Sequence, residues 1–332
     1  MTEQNKSVVE EVIMPVGGQA VIEGVMMRSK DRFATAIRRS SGEIEIDIRE
    51  YKSLIDRQKW LNVPILRGAV TLIEVMIIGI KTLNFSADKA MADEAEKEGK
   101  EVKEGKGMST LQAIGSVTIA LVLGIALFFA GPLWLTTYVF NIEKEALAFN
   151  LSAGLIRITI FLAYLIAISY MNDVRRLFEY HGAEHKSIYA FEEKGSLAVS
   201  DAAVFTTLHP RCGTSFLAMV MLVSILFFSI LDSVVMYFYG DISLLIRLVT
   251  HLPLIPVVGG IAYEAIKKSA KNPNNPLVRI FIAPGLALQK ITTREPDDDQ
   301  LEVALAALKA ALGDEWENIV LSKREQITRM SA

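Results

Sequence analysis

A single cysteine, Cys212, and four histidines are all that this 332-residue chain offers for soft-metal or thiol chemistry. One cysteine excludes an intramolecular disulfide and suits a thiol facing a reducing compartment. An excess of one charge is lacking too. Lys and Arg number 35 against 38 Asp and Glu, a formal net charge of −3, so no broad field draws the chain to nucleic acid. No GK[ST] follows the paired glycines of "PVGGQAVIEG", which excludes a phosphate loop. The polar start "MTEQNKSVVEEVIMPVGG" has no apolar core and is not expected to be a signal peptide. No internal repeat is visible, which counts against a repeat-built transporter.

What the chain has instead is long apolar runs. Four segments reach or approach the ~20 residues that cross a bilayer as a helix. They are residues 111–140, Leu151 to Met171 with Arg157 inside, Phe216 to Tyr239 with Asp232 near its far end, and Ile242 to Tyr263. The last holds Arg247 and His251 on one face, and Pro253 and Pro256. Asp232 and Arg247 are expected to pair, because an unpaired charge in a span is expensive.

Seventeen Lys and Arg precede the first span, five lie between the second and third, and ten follow the fourth, whereas the other two connections hold only Lys144. Positive residues stay inside, so both termini and the 172–215 segment are expected to be cytoplasmic in a cell-membrane protein.

The fold class expected is an α-helical multi-pass membrane protein with about four transmembrane helices. A small N-terminal α+β region and a C-terminal amphipathic helix complete it. Around "SSGE", "FATAIRRSSGEIEIDIREY" alternates apolar and polar residues and reads as a β-hairpin. Residues 63–83 are apolar but interrupted by Arg67, Glu74 and Lys81, which suits a buried or interface-lying helix better than a fifth span. The run 87–107 mixes Glu and Lys and reads as a solvated linker or exposed helix. Asp297 to Asp299 suit a helix N-terminus, followed by Leu301, Leu305, Leu308 and Leu312 at helical spacing. The divisions expected are 1–86, a charged linker 87–110, a membrane domain 111–271 and a C-terminal region 272–332.

"FEYHGAEHKSIYAF" spends two of the four histidines within one helical turn. His181, Glu184 and His185 share a face at i, i+3 and i+4. Two imidazoles so spaced can bind one metal ion, and the glutamate can serve as general base, the inverted form of HExxH. A catalytic zinc needs a third protein ligand and an open fourth position. "LHPRCGTSF" offers His209 and Cys212 just before the third span, on the side where the His181 segment lies. Glu264, at the cytoplasmic end of the fourth span, is a further candidate. If His181, His185, His209 and Cys212 all bind, the site is closed and structural. Cys212 could instead act as a nucleophile with His181 or His209 as base, although nothing marks an oxyanion hole.

"GGQAVIEGVMMRS", "YHGAEHK", "HPRCGTSF" and "PGLALQKITTREPDDDQLEVA", in this order, resemble the bacterial YqhQ family, a domain of unknown function. The resemblance runs from about residue 15 to 312. It implies multi-pass membrane proteins regarded as metal-dependent enzymes, with no settled substrate, and points to the same His181, Glu184, His185, His209 and Cys212.

The reading expected is a zinc hydrolase: metal on His181, His185 and either His209 or Cys212, water activated by Glu184, and the bilayer as partner. Its substrate would be a membrane protein or lipid. Gly17 to Gly24, with Glu23 and Arg28, could border the site. The alternative is a scaffold or assembly factor whose metal or polar cluster only orders the 172–215 segment.

Overall fold

A computed structural model describes residues 16–99, 110–142, 145–269 and 275–331. The acidic N-terminal stretch, residues 100–109 of the charged run and Lys144 lie outside them. Among the described residues four helices are long and apolar enough to cross a membrane: α2, whose spanning part is Thr118–Val139, α3 (Ala146–Ser169), α5 (Gly213–Tyr239) and α6 (Leu244–Ser269). Ahead of α2 lie four strands and the 32-residue helix α1 (Leu66–Lys97). Between the second and third spans stands α4 (Asn172–Tyr189). Three helices follow the last span: α7 (Pro276–Thr292), α8 (Asp298–Leu312) and α9 (Trp316–Ser331).

Strands β1 (Gly17–Val21), β2 (Gly24–Arg28), β3 (Arg32–Arg38) and β4 (Ile44–Glu50) form an antiparallel meander. The expected hairpin is its β3–β4 half, with Phe33 opposite Arg49 and Ile37 opposite Glu45. Alternation sends successive side chains to opposite faces. Val25, Met27, Ala34 and Ala36 join the main core with Tyr180, Ala183 and Ile188 of α4 and Leu301, Leu305, Leu308 and Leu312 of α8. Met26 and Phe33 face the other way and pack on Ile78 of α1. The sheet is thus held between α1 on one face and α4 with α8 on the other. N-terminal, central and C-terminal segments share one core.

Helix α8 starts as its sequence suggests. Asp297 accepts the Gln300 backbone N–H at 2.8 Å, and the Gln300 side chain accepts the Asp297 N–H at 3.0 Å. This capping box satisfies donors a helix start otherwise leaves unpaired.

The spans hold their charges in pairs or against backbone. Asp232 Oδ2 accepts from Asn150 Nδ2 at 2.7 Å and Arg247 Nε at 3.2 Å, while its Oδ1 lies 2.8 Å from His251 Nε2. The Arg247 guanidinium lies 3.4 Å over the Phe149 ring, and His251 stacks on Phe228 at 4.0 Å. The expected Asp232–Arg247 pair is therefore a four-residue cluster. Arg157 finds another solution. Helix α2 widens to π turns at Ala126–Ala130 and Leu135–Val139. Arg157 Nε donates to the Phe128 carbonyl in the first of these at 2.9 Å. A π turn frees carbonyls in this way.

Candidate metal centre

Helix α4 carries the site because it has two buried faces. Its inner side enters the core through Tyr180, Ala183 and Ile188, and His181, Glu184 and His185 lie alongside. Two loops return over it. One precedes α5 and brings Thr207, His209 and Cys212. The other leaves α7 and brings Thr292 and Arg294.

Both histidines are fixed through Nδ1. His181 Nδ1 donates to the Thr292 carbonyl at 2.8 Å, and His185 Nδ1 to the Thr207 carbonyl. A carbonyl oxygen only accepts, so each Nδ1 carries the proton and each Nε2 presents its lone pair. His181 Nε2 lies 3.2 Å from Cys212 Sγ. His185 Nε2 is buried with no hydrogen-bond partner among the described residues. One donor atom from each of His181, His185 and Cys212 falls within 4.8 Å of the other two. Zinc bonds of roughly 2.0–2.3 Å place tetrahedral ligand atoms about 3.4–3.6 Å apart, so small side-chain shifts suffice to close on one ion.

Cys212 is the N-cap of α5. Its sulfur accepts the Thr214 N–H at 3.4 Å and lies 3.2 Å from Thr214 Oγ1. The partial positive charge of a helix N-terminus favours a negative ligand there.

Glu184 is buried at 6 % exposure and lies against β1. A Cβ on Gly18 would come within 2.8 Å of Glu184 Cγ and 2.7 Å of the Met26 carbonyl, so only glycine allows this approach. Burial pushes the Glu184 carboxyl up to about 7, against the opposing pull of His181 and the Gly18 N–H.

His209 is beside this group but committed elsewhere. Its ring centroid is 5.6 Å from that of His185 and 4.6 Å from that of Tyr189. Its Nδ1 accepts the Arg211 N–H at 3.3 Å, and its Nε2 lies 3.7 Å from Glu192. Burial holds its pKa below the ordinary value, with Glu192 working the other way. Glu264 is not in the donor group and pairs instead with Arg67, whose Nε donates to it at 2.6 Å where α1 meets α6. Of the glycine-segment residues, Gly18 touches the site, whereas Glu23 pairs with Arg176 and Arg28 stacks over Tyr51 at 4.3 Å.

Several supporting residues lie inside the quoted motifs without a chemistry of their own to mark them as part of the site. Gln289 is fully buried and grips the loop. It accepts the His209 N–H at 2.7 Å and donates to the His209 carbonyl at 2.8 Å and Ser215 Oγ at 3.0 Å. Gly182 lets the Arg294 carbonyl pass directly over α4, and Arg294 N donates to the Phe178 carbonyl at 2.9 Å. That passage delivers the Thr292 carbonyl to His181.

The chain belongs to the family described as "Protein of unknown function (DUF1385)", which matches residues 63–314. It is 33% identical over 304 residues to the uncharacterized protein YqhQ of Bacillus subtilis (strain 168), covering 89% of this chain and 92% of that protein. No solved structure matches it.

Proposed function

Since membership of this family brings no reaction with it, we propose from the site that the chain is a metal-dependent membrane hydrolase. His181 Nε2, His185 Nε2 and Cys212 Sγ hold one ion, with zinc the best match to two imidazoles and a thiolate. The observation that carries this is the pair of Nδ1–carbonyl bonds. They fix both rings in the tautomer that leaves Nε2 free for a metal, with His181 Nε2 3.2 Å from Cys212 Sγ and the buried His185 Nε2 left without a hydrogen-bond partner among the described residues. The engagement of His209 by Arg211 N–H and Glu192 supports three protein ligands rather than four, as in catalytic sites. A bound zinc would supply Lewis acidity toward a scissile carbonyl or phosphoryl oxygen. Glu184 takes a proton from water and returns it to the leaving group. Its burial keeps bulk water away, and Gly18 fixes its distance from the strand. The basic residues flanking the spans support a cytoplasmic position for this face. Cys212 begins a span, so a substrate in or on the bilayer, a membrane protein or lipid, can reach the site sideways.

A structural role for the ion has one observation in its favour: the same residues tie α4, α5 and both loops together. Glu184→Gln separates the two readings. In the hydrolase, the variant keeps fold and metal and loses turnover of membrane substrates presented in proteoliposomes. In a scaffold it changes nothing, and that result would remove the hydrolase.

A further inference from the structure

Helix α1 has its polarity reversed. The side turned to the protein carries Gly68, Glu74, Gly79, Thr82 and Ser86, all buried, with Ile78 the one large aliphatic residue buried among them. Four of them have a partner across the contact. Gly68 lets Gly260 and Tyr263 of α6 approach, and a Cβ on it would meet the Gly260 Cα at 2.9 Å. Glu74 accepts from Ser53 Oγ at 2.9 Å and the Leu54 N–H at 2.5 Å. Gly79 lies under the Gln19 side chain, and Ser86 Oγ accepts the Ile22 N–H at 3.2 Å.

The opposite side carries Leu66, Ile73, Met76, Ile77, Ile80 and Leu83, each at least 38% exposed. Steps of three, four and seven put them on one stripe, about 26 Å long at 1.5 Å per residue. A helix in water shows the reverse arrangement: polar outside, apolar within. Small and polar contacts inward with large aliphatic residues outward is the pattern of a helix facing hydrocarbon.

Two further observations choose the occupant. The stripe begins where Gly68 packs on α6, a candidate span, so it is continuous with the outer surface of the spans. Trp60, 67% exposed, stands beside exposed Arg57 and Lys59 just before this end. An aromatic with neighbouring cations is the usual anchor at headgroup level. Beyond Leu83 the outward face carries exposed Asn84 and Asp88, with Met91 also exposed.

We propose that the Leu66–Leu83 stripe of α1 is seated in the acyl chains of the leaflet on the sheet's side. Residues beyond it rise into water with the sheet. Through Gln19 and Ile22 the same helix holds β1, the strand that covers Glu184. The bilayer is therefore part of what keeps the site covered.

A photoreactive benzophenone amino acid replacing Ile77, and separately Ile80, tests this in the full chain reconstituted in phospholipid nanodiscs. Leu226, an exposed position on α5, serves as the lipid reference, and Glu96, on the charged end of α1, as the aqueous one. The expected result is phospholipid adducts at Ile77 and Ile80 in yields close to that at Leu226 and at least tenfold above Glu96. Crosslinked dimers without lipid adducts would mean a second copy covers the stripe and would overturn the proposal. Yields no higher than at Glu96 would place the stripe in water and overturn it equally.

Discussion

Gly182→Ala sets two physical effects against each other inside the candidate centre. On helix propensity alone the change stabilises, since alanine is favoured over glycine in a helix interior by about 1 kcal/mol. The structure predicts the opposite. The new methyl would overlap the Arg294 carbonyl oxygen and press on Thr207 Cγ2 at 3.1 Å. The Arg294 segment must retreat by on the order of 1 Å to restore normal contact. That breaks the Arg294 N–H to Phe178 carbonyl bond and stretches the His181 to Thr292 bond. Two bonds at ~1 kcal/mol each and an overpacking strain of ~1–3 kcal/mol outweigh the propensity gain. The net cost is about 2–4 kcal/mol. The weakened Thr292 bond also holds the His181 tautomer less firmly, an effect worth about 10-fold or more in metal affinity. Thermal unfolding in detergent reads the first effect, and zinc competition against a chelator the second. A variant that is more stable and binds metal as the wild type does would refute the reasoning.

Three other outcomes follow from separate parts of the structure. Gln289→Leu leaves the buried His209 N–H unpaired and its carbonyl with the Cys212 N–H alone, and should cost roughly 2 kcal/mol, read as a lowered unfolding midpoint. Asp232→Ala removes the carboxylate that neutralises Arg247 inside the spans and should cost about 3–5 kcal/mol; Asp232→Ala with Arg247→Leu should recover part of it. Asp93 is pushed up by burial but lowered overall by its bonds to Arg39 and the Ser40 N–H. Its folded pKa lies below the unfolded value, so its contribution is complete above about pH 4 and lost as pH falls through the lowered folded value. Amide protection near the end of α1, taken relative to intrinsic exchange at each pH, should therefore fall at acid pH in the wild type, and at neutral pH in Arg39→Ala.

Much of this architecture is written in local patterns. The spans are long runs, the hairpin alternates with period two, and α8 announces itself through Asp297, Gln300 and the leucines that fill the core. The pairing of Arg247 with Asp232 follows from the cost of leaving either alone in lipid. The site is legible only in part, for a definite reason. His181, His185 and Cys212 carry distinctive chemistry, and topology brings them to one side of the membrane. The groups that orient the imidazoles are backbone carbonyls of Thr207 and Thr292, which any residue could supply. Gly18 and Gly182 matter through what passes close to them, and Gln289 through a loop 80 residues away. None of these has a periodicity to read. The placement of His209 beside the donor group, with both its ring nitrogens facing other residues, is likewise a product of tertiary packing.

The central claim is that two histidines and one cysteine hold an ion while His209 and Glu184 do not. Elemental analysis of detergent-purified protein tests it most directly, with wild type beside His181→Ala, Cys212→Ala, His209→Ala and Glu184→Gln. The account predicts about one equivalent of zinc per chain in the wild type, retained in His209→Ala and Glu184→Gln and lost in the other two. An absence of metal even after zinc reconstitution, or retention of it in both His181→Ala and Cys212→Ala, would contradict it.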